Sequence, residues 1–133
     1  FDNPADHIIL PEIISKEPLG PLVREGDEPW GDVVRWTLNA MITAEEYGVT
    51  SQNVDDMVAN SDNPEIRRLL GVEGNMGEML GLDAKWGYNI IKQVGNYGEV
   101  FEKYIGANTP IGLERGINAQ YKDGGLIYSP PIR

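Results

Sequence analysis

Few residues in this chain have a type and spacing that could support chemistry. His7 is the only histidine among the 133 residues. A serine–histidine–aspartate site would need it, but no G-x-S-x-G stretch supplies the nucleophile. A lone histidine at the start of a β-branched run reads as an edge residue. There is no cysteine, so disulfides, thiolate metal sites and cysteine nucleophiles are excluded. Adjacent acids occur at Asp27-Glu28, Glu45-Glu46 and Asp55-Asp56. Neighbours on a helix point in different directions, so these pairs read as caps or solvated faces rather than as an acid/base dyad. Metal ligation would need H-E-x-x-H or an EF-hand loop, and neither is present. The glycines at 71, 74 and 77 are spaced G-x-x-G-x-x-G. That is neither the dinucleotide fingerprint nor a P-loop, and the stretch reads as a flexible connection. Trp30, Trp36 and Trp86 read as core or interface residues. No cofactor, no metal site and no catalytic residue is expected, and the chain is expected not to be an enzyme.

The charge balance narrows the partners. Eleven basic and 21 acidic residues give a net charge of −10. Phosphate backbones and anionic lipid repel such a chain, so nucleic acid and membrane surfaces are set aside. With 41% hydrophobic and 24% charged residues, the composition is that of a soluble globular domain. No apolar run approaches the roughly 18–20 residues needed to span a bilayer. The first residues, FDNPADH, have neither the basic region nor the apolar core of a signal peptide. The chain does not start with methionine, and it is expected to be a mature product or a fragment.

These residues must be held by elements that the pattern predicts in order. HIILPEII begins with a short strand, His7–Leu10, which stops at Pro11 or lies at a sheet edge. PLGPLVREGD is a second extended segment. Asp27 or Glu28 caps a helix whose first turn holds Pro29. Its stripe runs Trp30, Val33, Val34, Thr37, Leu38, Met41, Ile42 and Glu45, of which only Glu45 breaks the apolar pattern, and the helix ends at Gly48. Thr50 or Ser51 caps a short helix through Val58. Asn63 caps another, with Pro64 and Glu65 in its first turn, to Leu70. Asp83 caps a helix over 84–94 with Ile90, Ile91 and Val94 facing inward. In GNYGEVFEKYIG (95–106) Asn96 and Glu99 form a capping box. Val100, Phe101, Tyr104 and Ile105 make the apolar face, and Gly106 serves as a left-handed C-cap. A last short helix is expected over 111–121, then a break at Gly124-Gly125 and an extended end.

The segments HIILPEIISKEPLGPLVREGDEPWGDVVRWTLNAMITAEEYGVT, NPEIRRLLG, GNYGEVFEKYIG and GLIYSPPIR carry a resemblance. Together they resemble the C-terminal part of the general L-amino-acid-binding proteins of bacterial ABC importers, which are type II periplasmic solute-binding proteins of the polar amino-acid class. The resemblance implies an α/β fold of two lobes joined by hinge strands, with this chain a helix-rich part carrying two to four short strands. Residues 1–10 would end the second lobe, 11–17 would form the returning hinge strand, and 18–133 would belong to the first lobe. The hinge would include Leu10, Pro11, Glu12 and Ile13. The implied partners are a free L-amino acid in the complete protein and a membrane permease, in the periplasm. The ligand-contacting arginine and aspartate of the family have no matching positions here, so no ligand-binding residue is assigned. The alternative is a stand-alone helical module that self-associates or swaps domains, because helices deprived of their sheet leave apolar surface bare.

Overall fold

The computed structural model describes residues 2–132 apart from Ile13 and Lys16. The longest helix, α1 (Glu28–Glu46), begins where the sequence places its cap: Asp27 Oδ1 accepts the Trp30 N–H at 3.2 Å. It is followed by α2 (Val54–Asn60), α3 (Pro64–Leu69), α4 (Met76–Met79), α5 (Trp86–Val94) and α6 (Tyr97–Tyr104). Three-residue 3-10 turns lie at Pro4–Asp6, Gly116–Asn118 and Tyr121–Asp123.

The C-terminal half of α1 is the centre of the packing. Ala40, Ile42, Thr43 and Ala44 are buried there, and α1 meets α3, α5 and α6. Ala40 and Ala44 lie one turn apart, and their small side chains let the neighbouring helices approach. Val49, Val54, Ile66, Leu69, Leu70, Trp86, Ile91 and Ile132 complete the core. Each larger aliphatic among them gains about 1.5–3 kcal/mol over an exposed position. The tail is part of this core. Ile132 is 2% exposed, and its carbonyl accepts the Arg68 Nε–H at 3.3 Å.

The helical content agrees with the sequence reading, but the strands do not. Among the described residues the only sheet-like pairing is a parallel bridge between Gln120 and Ile127. His7–Leu10 is extended, yet among the described residues it forms no strand pairing. A β-strand is stable only with a partner that accepts its ladder bonds, and the helical body supplies none. The helix expected over 111–121 is replaced by loop and 3-10 turns. Gly112 and Gly116 take positive φ of 64° and 48°, which interrupts a right-handed helix. Val94 and Tyr104 are exposed, so α5 and α6 end with a residue outside the core. The left-handed C-cap expected at Gly106 does not form. Gly106 is absent from the positive-φ glycines, and α6 closes through Ile105 and Gly106 N–H groups that both donate to the Phe101 carbonyl. A glycine suits this position because a Cβ would lie 2.5 Å from the Glu102 Cα.

Candidate binding surfaces

The described residues among 2–26, largely extended, lie outside the helical core and expose a run of large apolar side chains. Ile8 is 83%, Ile14 95% and Leu22 99% exposed. Between this arm and the loop 110–118 runs a groove of about 970 Å³. Leu10, Pro11 and Glu12 line it together with His7, Leu113 and Arg115. Three of the four hinge candidates therefore share one surface, and Ile13 lies outside the described residues.

The adjacent acids diverge. Asp27 caps α1. Glu45 receives a two-pronged ion pair from Arg115, whose Nη1 donates to Oε1 at 2.6 Å and Nη2 to Oε2 at 3.1 Å. Gln120 Nε2 donates to the same Oε2 at 3.1 Å and to the Ile42 carbonyl at 3.0 Å. The Arg115 guanidinium also lies 5.1 Å from the Phe101 ring centre and 5.4 Å from that of Tyr97. Glu45 breaks the apolar stripe of α1 because it anchors the loop after α6, a role the local pattern did not signal. Glu46 turns the other way and accepts the Tyr121 hydroxyl at 3.1 Å.

Asp55 accepts from Lys92 Nζ at 2.7 Å and from the Tyr88 hydroxyl at 2.8 Å. The Lys92 bond, followed by the Tyr88 bond, holds the Asp55 carboxyl below its ordinary value. The same Asp55 carboxylate raises Lys92 and Tyr88. This triad ties α2 to α5 on the surface.

Of the caps named from sequence, Asn63 and Asn96 lie at helix starts away from the groove, whereas α5 starts at Trp86 with Lys85 as its N-cap, so Asp83 stands two residues ahead of the cap and holds the turn before it. Asn63 Oδ1 accepts the Glu65 N–H at 2.9 Å, and Asp83 Oδ1 accepts the Lys85 N–H at 2.8 Å. Asn96 Oδ1 accepts the Glu99 N–H at 2.9 Å, and Glu99 Oε2 accepts the Asn96 N–H at 2.8 Å. Glu99 also accepts from the Ser51 hydroxyl at 2.7 Å. Among the described residues no group of three His, Cys, Asp or Glu is placed to hold a metal ion, and no helix is long and apolar enough to cross a membrane.

A second cleft, of about 420 Å³, opens at the C-terminal end of α1. Thr43, Glu46 and Tyr47 form one wall and the tail 128–132 the other, with Glu65 and Tyr121 between them. Tyr47 has its hydroxyl pKa raised by burial, then by Glu65 and Glu46. Tyr121 is raised by its bond to Glu46.

Known proteins align with this chain from end to end. It is 60% identical over 131 residues to the glutamate/glutamine/aspartate/asparagine-binding protein BztA of Rhodobacter capsulatus, covering 98% of this chain and 39% of BztA. It is 56% identical over 133 residues to the general L-amino acid-binding periplasmic protein AapJ of Rhizobium johnstonii, covering 98% of this chain and 39% of AapJ. In structure it is similar to an ABC transporter periplasmic binding protein from Brucella ovis with glutathione bound. That match has a TM-score of 0.92 at 59% identity, over 98% of this chain and 41% of the other. No family model matches. Over nearly its whole length the chain is thus similar to part of the amino-acid-binding proteins of ABC transporters, as the resemblance implied. It spans about two fifths of the length of the relatives it matches (39% of BztA and of AapJ).

Proposed function

We propose that the chain serves as part of the substrate-binding component of an amino-acid ABC importer. In this reading it works in the periplasm, against a membrane permease, and is not an enzyme. Residues 1–10 close the second lobe, 11–17 return through the hinge at Leu10, Pro11, Glu12 and Ile13, and 18–133 complete the first lobe. The observation that carries the reading is identity of 56–60% to amino-acid-binding proteins across 98% of the chain. The exposed apolar arm supports it, since a lobe and its hinge would cover that arm. Amino-acid binding then requires chain beyond these 133 residues.

The test is a chimera in which this chain replaces the matching portion of BztA, titrated with L-glutamate by calorimetry. The expected result is binding within about tenfold of BztA itself, with no saturable binding to the 133-residue chain alone. A folded chimera that does not bind overturns the assignment, and tight stoichiometric binding to the chain alone overturns the need for the rest. The bare arm also favours a second reading, a helical module that self-associates. Native mass separates the two: a monomer argues against it, and an arm-exchanged dimer supports it.

A further inference from the structure

The cleft at the end of α1 has no part in the proposed transport reading, and its chemistry is specific. A helix C-terminus carries partial negative charge and is normally offset by a basic residue. Here α1 has no basic residue in its last turn and ends in two glutamates. Arg115 neutralises Glu45. The Glu46 carboxylate makes no ion pair among the described residues and accepts only the Tyr121 hydroxyl. Lys122 donates to the Glu46 backbone carbonyl rather than to its side chain. Lys122 thus offsets the helix end itself, while the Glu46 side chain keeps its charge without an ion pair among the described residues.

The cleft around Glu46 is lined by Tyr47, Tyr121 and Tyr128, with Glu65 as a second carboxylate. Its outer wall is fixed rather than loose. Pro130 and Pro131 stiffen the tail, and buried Ile132 pins it to Arg68. Arg68 also pairs with Glu65, which leaves Glu46, bonded to the Tyr121 hydroxyl, as the carboxylate of the cleft with no ion pair among the described residues. Tyrosine rings attract cations through their negative faces. A carboxylate beside them adds charge and a hydrogen-bond acceptor. Anions fit this lining poorly.

We propose that this cleft is a binding site for an organic cation, an alkylammonium or alkylguanidinium group that sits against the tyrosine rings and donates to Glu46. The group can come from a free small amine or from a lysine or arginine side chain of another protein, and the chemistry at the site is the same.

The test uses the full 133-residue chain and ethylguanidinium, which stays charged at every pH used. Two-dimensional NMR is expected to show saturable shifts confined to residues around Glu46, Tyr47 and Tyr128. Ethylurea, the neutral analogue, should give none. Glu46→Gln keeps an acceptor for Tyr121 but removes the charge, and it is expected to weaken binding about five- to tenfold. Tyr128→Ala, at an exposed position, should weaken it by a similar factor. Bound guanidinium should also lower the pH at which Tyr47 and Tyr121 ionise, read by ultraviolet absorbance. Equal binding of ethylurea, or unchanged binding in a folded Glu46→Gln variant, overturns the proposal. Spermidine binding tighter than an acetylated lysine amide assigns the site to free amines, and equal binding assigns it to a partner's side chain. No binding by any of these cations also overturns it.

Discussion

Glu99 carries more than a helix cap. Its carboxylate accepts from the Asn96 N–H within α6 and from the Ser51 hydroxyl and N–H in the α1–α2 loop. Local sequence revealed the first contact, because a capping box needs only residues three apart. It hid the second, because Ser51 is 48 residues away. Glu99→Ala should therefore cost about 2 kcal/mol, roughly 1 for the cap and the rest for the loop tie. A denaturant double-mutant cycle with Ser51→Ala should give a coupling of about 0.5–1.5 kcal/mol; zero coupling would mean the loop contact contributes nothing. Arg115 makes the same point. Its fork fits Glu45 and its plane lies over Phe101 and Tyr97, so Arg115→Lys keeps the charge and loses the geometry. Melting should drop in Arg115→Lys nearly as far as in Arg115→Ala. Asp55 gives a pH signature. Its carboxyl lies below the ordinary 3.8 when folded, so the unfolded chain takes up the proton first. Its stabilising effect is complete above that value and is lost as pH falls through the lower, folded one. Asp55→Asn should flatten the acid limb of stability below about pH 4 and leave the neutral region unaltered in slope.

Three helices stop in one way, and this explains part of the glycine content. After α1, the Val49 N–H donates to Ala44 O at 2.8 Å and the Gly48 N–H to Glu45 O at 3.0 Å. Gly71 and Val72 repeat the pattern after α3, and Gly81 and Leu82 after α4. These are Schellman endings, with glycine φ between 68° and 71°. Their costs on substitution should differ sharply. A Cβ on Gly48 meets nothing within 4 Å, whereas one on Gly71 would sit 1.8 Å from the Ala84 carbonyl oxygen. Gly48→Ala should cost about 1–2 kcal/mol for the backbone alone, and Gly71→Ala clearly more, by thermal or chemical denaturation. Equal losses would show that the approach of Gly71 to the turn before α5 yields easily. The contrast marks what was legible. Helix starts at Asp27, Asn63 and Asn96 depend on side chains within three residues, so the sequence displays them. The glycine stretch 71–81 read as a flexible connection, yet Gly71 and Gly77 are pressed against the backbone of Asp83 and Ala84. That approach is tertiary and leaves no local periodicity. The strand at His7–Leu10 failed for the complementary reason: its pattern was extended, but no described residue pairs with it. The candidate surfaces were less legible than the fold. Glu46, Tyr47 and Tyr128 come together across some 80 residues of chain, and no spacing rule connects them.

At the scale of the whole molecule, this chain is a packed helical body with an unpacked arm. Helices α1–α5 and the tail share one core, and α6 packs against α1. The described residues among 8–23 make no backbone hydrogen bond with one another or with the rest of the described residues, and their large apolar side chains are mostly exposed. Opening such a segment costs close to nothing, whereas cleavage inside a packed body requires most of the global unfolding free energy. Trypsin should therefore cut the isolated chain rapidly after Arg24 and leave a product beginning at Glu25, because Asp27 already belongs to the capped start of α1. The proposed function makes the same bond a gauge of coverage. In the BztA chimera the arm would be held between hinge and lobe, and opening it would require several kilocalories per mole of lost packing. Each 1.4 kcal/mol slows cleavage tenfold when reclosing is fast, so the chimera should be cut after Arg24 at least about a hundredfold more slowly. An arm cut equally fast in both proteins would place it on the outside of the complete molecule, and the hinge at Leu10–Glu12 would lose its physical basis.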